Sequence, residues 1–238
     1  MNIRLTIEFD GTAYAGWQFQ PNRPTVQGEI EQAASKVTGK PATVYGCSRT
    51  DAGVSARRYV ANFHTDYPLS ARRWRPALNH YLPKDIHVLL AEEASQSFQA
   101  RFDARGKTYV YRMVRGLSPL RRQRVWELRF PVDAAKVRRA ARLFVGRRDF
   151  QPLCQTKDTD GRCAVRAVDV VECGDEIVVT VQGDRFLYKM VRRIVGAMVS
   201  YGMGRVTLAD LRAALAGRPH QPIQTAPACG LLLDSVEY

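Results

Sequence analysis

The string with the most chemical content runs from Gly46 to Ala56, Gly-Cys-Ser-Arg-Thr-Asp-Ala-Gly-Val-Ser-Ala. Its Asp51-Ala52-Gly53 centre is good turn chemistry, because an Asp side chain bonds nearby backbone and Gly accepts positive φ. Arg49 adds something that a plain turn does not need. A cation two residues away holds the Asp51 carboxylate ionised by opposite charge and hydrogen bonding. An ionised, oriented carboxylate is a nucleophile toward a sugar carbon or an acceptor of a proton. Cys47 lies four residues before Asp51 and raises a thiol- or metal-dependent alternative; a small buried strand residue is the plainer reading.

Three further strings carry chemistry. From Phe98 to Tyr111, Arg101, Arg105 and Lys107 alternate with Phe102, Tyr109 and Tyr111. Cations interleaved with rings suit a stacking platform over a phosphate chain, which makes Tyr109, Arg101 and Lys107 candidate substrate contacts beside Arg49. Tyr109 and Tyr111 are two apart and share one strand face; for one of them, membership of an aromatic sheet face is the better reading. From Phe186 to Gly196, a helix would align Phe186, Leu187, Met190 and Ile194 as an ordinary apolar stripe. Arg192 and Arg193 are adjacent and point in different directions, so at least one flanks that stripe, where a charge usually has a specific anionic partner. The opening loop, Phe9 to Pro21, is rich in Gly and aromatics and reads equally as a lid or as a packed loop.

The elements that position these strings follow from periodicity. Ile3, Leu5, Ile7 and Phe9 alternate with polar residues as a half-buried strand does. Thr25 caps a helix over about 26–38 that Gly39 stops. Strands are expected near 43–48 and 58–64. Ser70 caps a helix through about 81, ended by Pro83, and a strand over 86–93 completes β-α-β-β-α-β. The second half repeats that order: a strand over 107–115, a helix from Asp133 to Gly146, and a hairpin of 164–173 and 176–182 around Cys173-Gly174-Asp175. A long helix over 186–202 follows, then a helix from Thr207 to Gly217 with Asp210 at capping-box spacing, and a last strand over 230–236. The fold class is therefore α+β, with two ferredoxin-like, RRM-like halves, residues 1–105 and 106–238. The first carries Asp51, and their antiparallel sheets are expected to join around a central cleft.

Composition narrows the partner. The chain has 238 residues and a net charge of +13, with 29 Arg against 7 Lys. Such a field gathers polyanions, and Arg pairs bidentately with phosphate and stacks on bases, so nucleic acid is the leading partner class. No stretch reaches the ~20 apolar residues that span a bilayer. The N-terminus has no apolar core with a cleavage site, which leaves the cytoplasm as the default. Five cysteines without a C-x-x-C pair argue against a disulfide framework and a zinc ribbon. Neither G-x-x-x-x-G-K-[ST] nor G-x-G-x-x-G occurs, so no cofactor is expected.

Five ordered strings also resemble a known family. D-G-T-x-Y-x-G-W-Q-x-Q-P with T-V-Q-G-E, then R-T-D-A-G-V, K-T-Y-x-Y, F-L-Y-K-M-V-R-R-I-V-G and A-P-A-x-G-L-x-L occur here in sequence. They look like the bacterial tRNA pseudouridine synthases called TruA, and the match spans Phe9 to Tyr238. The resemblance implies the pseudouridine synthase fold and cofactor-free isomerisation of uridine at positions 38, 39 and 40 of the tRNA anticodon stem-loop by a homodimer. It implies Asp51 as nucleophile and Arg49 as its pairing partner, which helps to displace the base. It also implies Tyr109 packed on the flipped base and Arg192 as an ion-pair partner of the carboxylate. The family often reads G-V-H-A after the Asp, whereas this chain has Ser55. The alternative is a non-catalytic RNA-binding module with two RRM-like domains, which explains the charge and the sheets but not the Arg-x-Asp turn.

Overall fold

A computed structural model of the chain describes residues 1–154 and 160–238. It divides into two compact units, Met1–Arg105 with Leu232–Tyr238, and Gly106–Leu231. Both are α+β, built on mostly antiparallel sheets.

In the first unit, strand β1 (Asn2–Phe9) buries Ile3, Leu5, Ile7 and Phe9, as their alternation requires. It lies between β3 (Ser55–His64) and β4 (Ile86–Ala94), antiparallel to both. On the far side of β3 run β2 (Tyr45–Gly46), antiparallel, and the C-terminal strand β10 (Leu231–Glu237), parallel with Leu232 opposite Ser55. Helix α1 (Val26–Thr38) begins where Thr25 Oγ1 accepts the Gly28 N–H and ends at Gly39 with φ +71°. Helix α2 (Ala71–Tyr81) buries Trp74 edge-on against Phe63. Ser70 occupies its N-cap position without a side-chain capping bond.

The strand expected over 43–48 shrinks to two residues, for a physical reason. A Cβ at Gly46 would sit 2.2 Å from the Tyr59 hydroxyl and 2.5 Å from the Trp17 ring. The two rings stack, with centroids 4.0 Å apart, and Tyr59 takes over the backbone of Ser48, donating to its carbonyl and accepting its N–H. Cys47 still donates its N–H to the Val60 carbonyl, and at Ser48 a side-chain hydroxyl replaces ladder pairing.

In the second unit, β5 (Gly106–Arg115) and β6 (Trp126–Leu128) run parallel. They are followed by α3 (Ala134–Ala141), β7 (Gly146–Asp149), α4 (Gln151–Cys154), β8 (Arg162–Cys173) and β9 (Glu176–Gly183). Sheet order is β5-β9-β8-β7, all antiparallel. The β8–β9 hairpin turns at Gly174 with φ +59°, as its Cys-Gly-Asp string predicts. Helices α5 (Met190–Gly202) and α6 (Leu208–Leu215) close the unit, and the Thr207–Asp210 capping box forms.

Two helices are shorter than periodicity suggests. The Asp133 carboxylate caps α3 through the N–H groups of Ala135 and Lys136, but the helix stops at Ala141, before the buried Phe144, rather than at Gly146. Helix α5 starts at Met190 instead of 186, because Lys189 adopts φ +57° and the Asp184 carboxylate accepts the N–H groups of Ala164 and Arg185. Phe186 therefore leaves the helical stripe and meets Tyr109. No described helix is long and apolar enough to cross a membrane.

Three tyrosines are locked in neutral form. Burial raises the pKa values of Tyr14, Tyr111 and Tyr238 above the usual tyrosine range, and for Tyr14 the hydrogen bond to Asp85 adds to it. A raised folded value means stability that is complete below the unfolded value of about 10 and is lost as pH climbs from there through the folded value. In a spectrophotometric titration of the ten tyrosines, these three should stay protonated at about pH 11 and ionise only together with loss of the far-ultraviolet dichroism.

Candidate active site

Asp51 lies, half-buried, in the turn between β2 and β3. The turn closes with the Val54 N–H donating to the Asp51 carbonyl at 3.1 Å, and Gly53 has φ +79°. This is the geometry that an Asp-x-Gly string favours. Arg49 is exposed and Thr50 between them is buried, so the side chains on either side of Thr50 face away from the core.

The opening loop holds this turn by its backbone. The Trp17 N–H donates to the Thr50 carbonyl at 3.3 Å, and the Gly53 N–H donates to the Tyr14 carbonyl at 3.3 Å. Two glycines make the approach possible. A Cβ on Gly11 would fall 2.0 Å from the Val54 carbonyl oxygen, and one on Gly16, whose φ is +102°, would fall 2.4 Å from that of Thr50. The loop is itself fastened. Tyr14 donates to Asp85 at 2.6 Å, the Asp10 N–H donates to the Asp85 carbonyl at 2.8 Å, and the first N–H groups of α1 reach the carbonyls of Gly16 and Trp17. With Tyr14 and Trp17 buried, the loop is a packed brace and not a lid.

Ser55, at the position where the resembling family often has His, joins the same brace. Its hydroxyl accepts the Gly11 N–H at 3.0 Å and donates to Asp10 Oδ1 at 3.3 Å. Arg101, also in the first unit, projects into solvent from a fixed backbone: the N–H of its buried neighbour Ala100 donates to Asn62 Oδ1 and the Ala100 carbonyl accepts from the Tyr238 hydroxyl.

The remaining candidates belong to the second unit. Lys107 and Tyr109 lie on one face of β5 and are 8% and 7% exposed. The Tyr109 ring meets Phe186 edge-on, at 5.2 Å and 84°. Tyr111 is the core member of the pair, fully buried, with its hydroxyl on the Pro227 carbonyl at 2.7 Å. Arg192 opens α5. Its Nε donates to the Ala226 carbonyl at 2.7 Å, while the Ala226 N–H returns to the Arg192 carbonyl at 3.1 Å. Its positive charge reaches the Tyr111 hydroxyl and offsets part of the upward shift caused by burial. Arg193 finds neutral acceptors, donating to the carbonyls of Leu153 and Ile223 and to the Thr225 hydroxyl.

Periodicity gave no role to the A-P-A-x-G segment. It is the strap that fixes Arg192 and Tyr111, and Gly230 is required because a Cβ there would sit 2.7 Å from the Tyr111 ring. The signal was available as a glycine opening a strand reading, which marks a close approach.

Chemically, the first unit offers a half-buried carboxylate on an immobilised turn with a guanidinium two residues away. The second offers a clamped aromatic ring and a guanidinium oriented by a backbone carbonyl. These are parts for nucleophilic or acid–base work on a flat, polyanionic substrate.

Known proteins resemble this chain over nearly its whole length. A family model described as tRNA pseudouridine synthase matches residues 5–103 and 140–238. A protein of Brevibacillus brevis named tRNA pseudouridine synthase A is 40% identical over 241 residues, covering 99% of each chain. One of the same name from Syntrophotalea carbinolica is 42% identical over 243 residues, covering 99% of this chain and 96% of its own. One from Geobacter sulfurreducens is 41% identical over 244 residues, covering 99% of each.

The brace makes a structural prediction. Gly16→Ala puts a methyl into the Thr50 carbonyl at a backbone angle that L residues rarely adopt. It should lower stability by about 1–3 kcal/mol, seen as a reduced urea midpoint followed by Trp17 fluorescence.

Proposed function

The chain belongs to the tRNA pseudouridine synthase family, and on that premise we propose that it isomerises uridine to pseudouridine at positions 38, 39 and 40 of the anticodon stem-loop with Asp51 as nucleophile. That it is an isomerase acting on tRNA follows from the family. The finer reading is carried by one observation: the Asp51 turn is gripped on both sides by backbone bonds to the opening loop, from Trp17 to Thr50 and from Gly53 to Tyr14. A merely structural Asp-x-Gly turn needs no such external grip. A carboxylate that must meet a sugar or base within a few tenths of an ångström does.

The reaction breaks the bond from ribose to nitrogen, turns the uracil, and remakes the bond to carbon. It involves no net oxidation or hydrolysis, so the load falls on positioning. The target base must leave the stack at a cost of a few kcal/mol, and an inserted guanidinium with aromatic packing repays ~1–3 kcal/mol per contact. In this reading Arg49 displaces the base and pairs with Asp51. Tyr109 packs on the uracil, its ring held from the other side by the edge of Phe186. Arg192 is the second cation of the site, with its Nε already committed to Ala226 so that the guanidinium cannot swing freely. Arg101 and Lys107 contact the substrate phosphates. The family resemblance implies a homodimer that needs no cofactor.

Asp51→Asn keeps the shape of the turn and removes the charge. Tritium release from tRNA carrying 5-tritiated uridine should drop roughly 10³-fold or more while tRNA binding persists; near-normal turnover would show another residue to be the nucleophile. If the unsubstituted protein binds tRNA tightly and forms no pseudouridine, the non-catalytic module is the correct reading.

The basic surface implies a second outcome. Affinity for tRNA should fall at least about tenfold between roughly 50 and 200 mM salt, as counterions are released from neutralised phosphates. A flat response in a filter-binding titration would contradict the assignment of the +13 net charge to tRNA.

A further inference from the structure

Phe102 is the most exposed aromatic ring described in the protein, at 77%. An isolated apolar side chain at a surface needs no explanation, but the backbone beneath this one is fixed by several hydrogen bonds. Its N–H and that of Asp103 both donate to the Gln99 carbonyl, and the Gln99 N–H donates to Asp103 Oδ2 at 2.9 Å, so the chain on either side closes into a double turn. The base of the turn is bolted to the sheet. Asn62, fully buried on β3, accepts the Ala100 N–H and donates to the Phe98 carbonyl, and the Tyr238 hydroxyl donates to the Ala100 carbonyl at 2.6 Å. The Arg101 guanidinium carbon stands 5.4 Å from the Phe102 ring centroid.

A ring displayed to water on a rigid pedestal, with a guanidinium beside it, bears an apolar cost that the folded chain alone does not recover. Its complement is a flat, apolar-faced group attached to an anion, which describes an unpaired nucleotide: the base covers the ring and the phosphate meets the arginine. We propose that Phe102 and Arg101 form a stacking platform for an unpaired base of the tRNA substrate, outside the group of residues that act on the target uridine. The proposal rests on the tRNA reading given above. Pre-ordering of the turn is what makes one ring effective, because little conformational entropy is lost on contact.

The test uses the full-length chain and an unmodified tRNA transcript. Because Phe102 is exposed, its replacement leaves the core intact. Phe102→Ala and Phe102→Leu should each weaken tRNA binding roughly 5- to 100-fold, and Phe102→Trp should stay within about twofold of the starting protein. Binding by Phe102→Ala or Phe102→Leu within twofold overturns the platform, since the ring would then be dispensable. Sedimentation of the same variants supplies the other exclusion. If weakened binding accompanies dissociation into a smaller species, Phe102 touches a second copy of the chain and the platform is wrong. Pseudouridine formation by the unsubstituted protein separates the two levels: active starting protein with unaffected Phe102 variants removes only the platform, and inactive starting protein removes the reading beneath it.

Discussion

Thr50 C=O and Gly53 N–H, the backbone groups that bracket Asp51, are both taken by the opening loop. Each bond is ordinary in strength, about 1 kcal/mol net. Together they convert a solvent-edge turn into a fixed point. Everything near them in the first unit serves that fixation. Gly11 and Gly16 give up side chains so that two backbones approach. Trp17 stacks on Tyr59, and Tyr59 in turn holds Ser48. Asp85 receives both Asp10 and Tyr14. The aromatic cluster is thus core packing and loop anchor at once, and the catalytic proposal depends on it because a carboxylate on a mobile turn would forfeit its orientation.

The second unit solves a similar problem with a different device. Tyr111 and Arg192 hang on the carbonyls of Pro227 and Ala226, one from a strand and one from a helix. A short segment without regular structure becomes a shared acceptor, and its own N–H returns to the helix. Gly196 permits the approach, since a Cβ there would lie 2.0 Å from the Gln224 carbonyl. In both units, then, irregular backbone braces the candidate site: it holds the Asp51 turn in one and gives Arg192 its acceptor in the other. Glycine is the residue that makes it possible, through positive φ at Gly16 and Gly53 and through close contact at Gly11, Gly196 and Gly230.

Much of this was legible beforehand. The alternation of Ile3 to Phe9, the Thr25 cap with the Gly39 stop, the Cys173-Gly174-Asp175 hairpin and the Thr207–Asp210 box all formed where local chemistry put them. These signals act within a few residues. The misses share a cause as well. The strand near 43–48 was cut short by Tyr59 and Trp17, and the start of α5 moved because Asp184 and Lys189 settled a turn. In each case a side chain bonded backbone outside its own element, Tyr59 to Ser48 and Asp184 to Ala164, and that bond overrode the local preference.

The amino-acid order alone therefore determined the α+β class, the basic polyanion-seeking surface, the Arg-x-Asp turn and, through five ordered strings, the family. Each of those is encoded by residue type, charge or short-range spacing. The three-dimensional fold decided what they could not carry. It set the opening loop as a brace rather than a lid, put Tyr111 in the core while Tyr109 stays against Phe186, gave Ser55 its bonds to Gly11 and Asp10, and placed the last strand alongside β3. Those outcomes turn on which distant backbone group is left wanting a hydrogen bond, and periodicity, which reports only the face a residue occupies, does not contain that information.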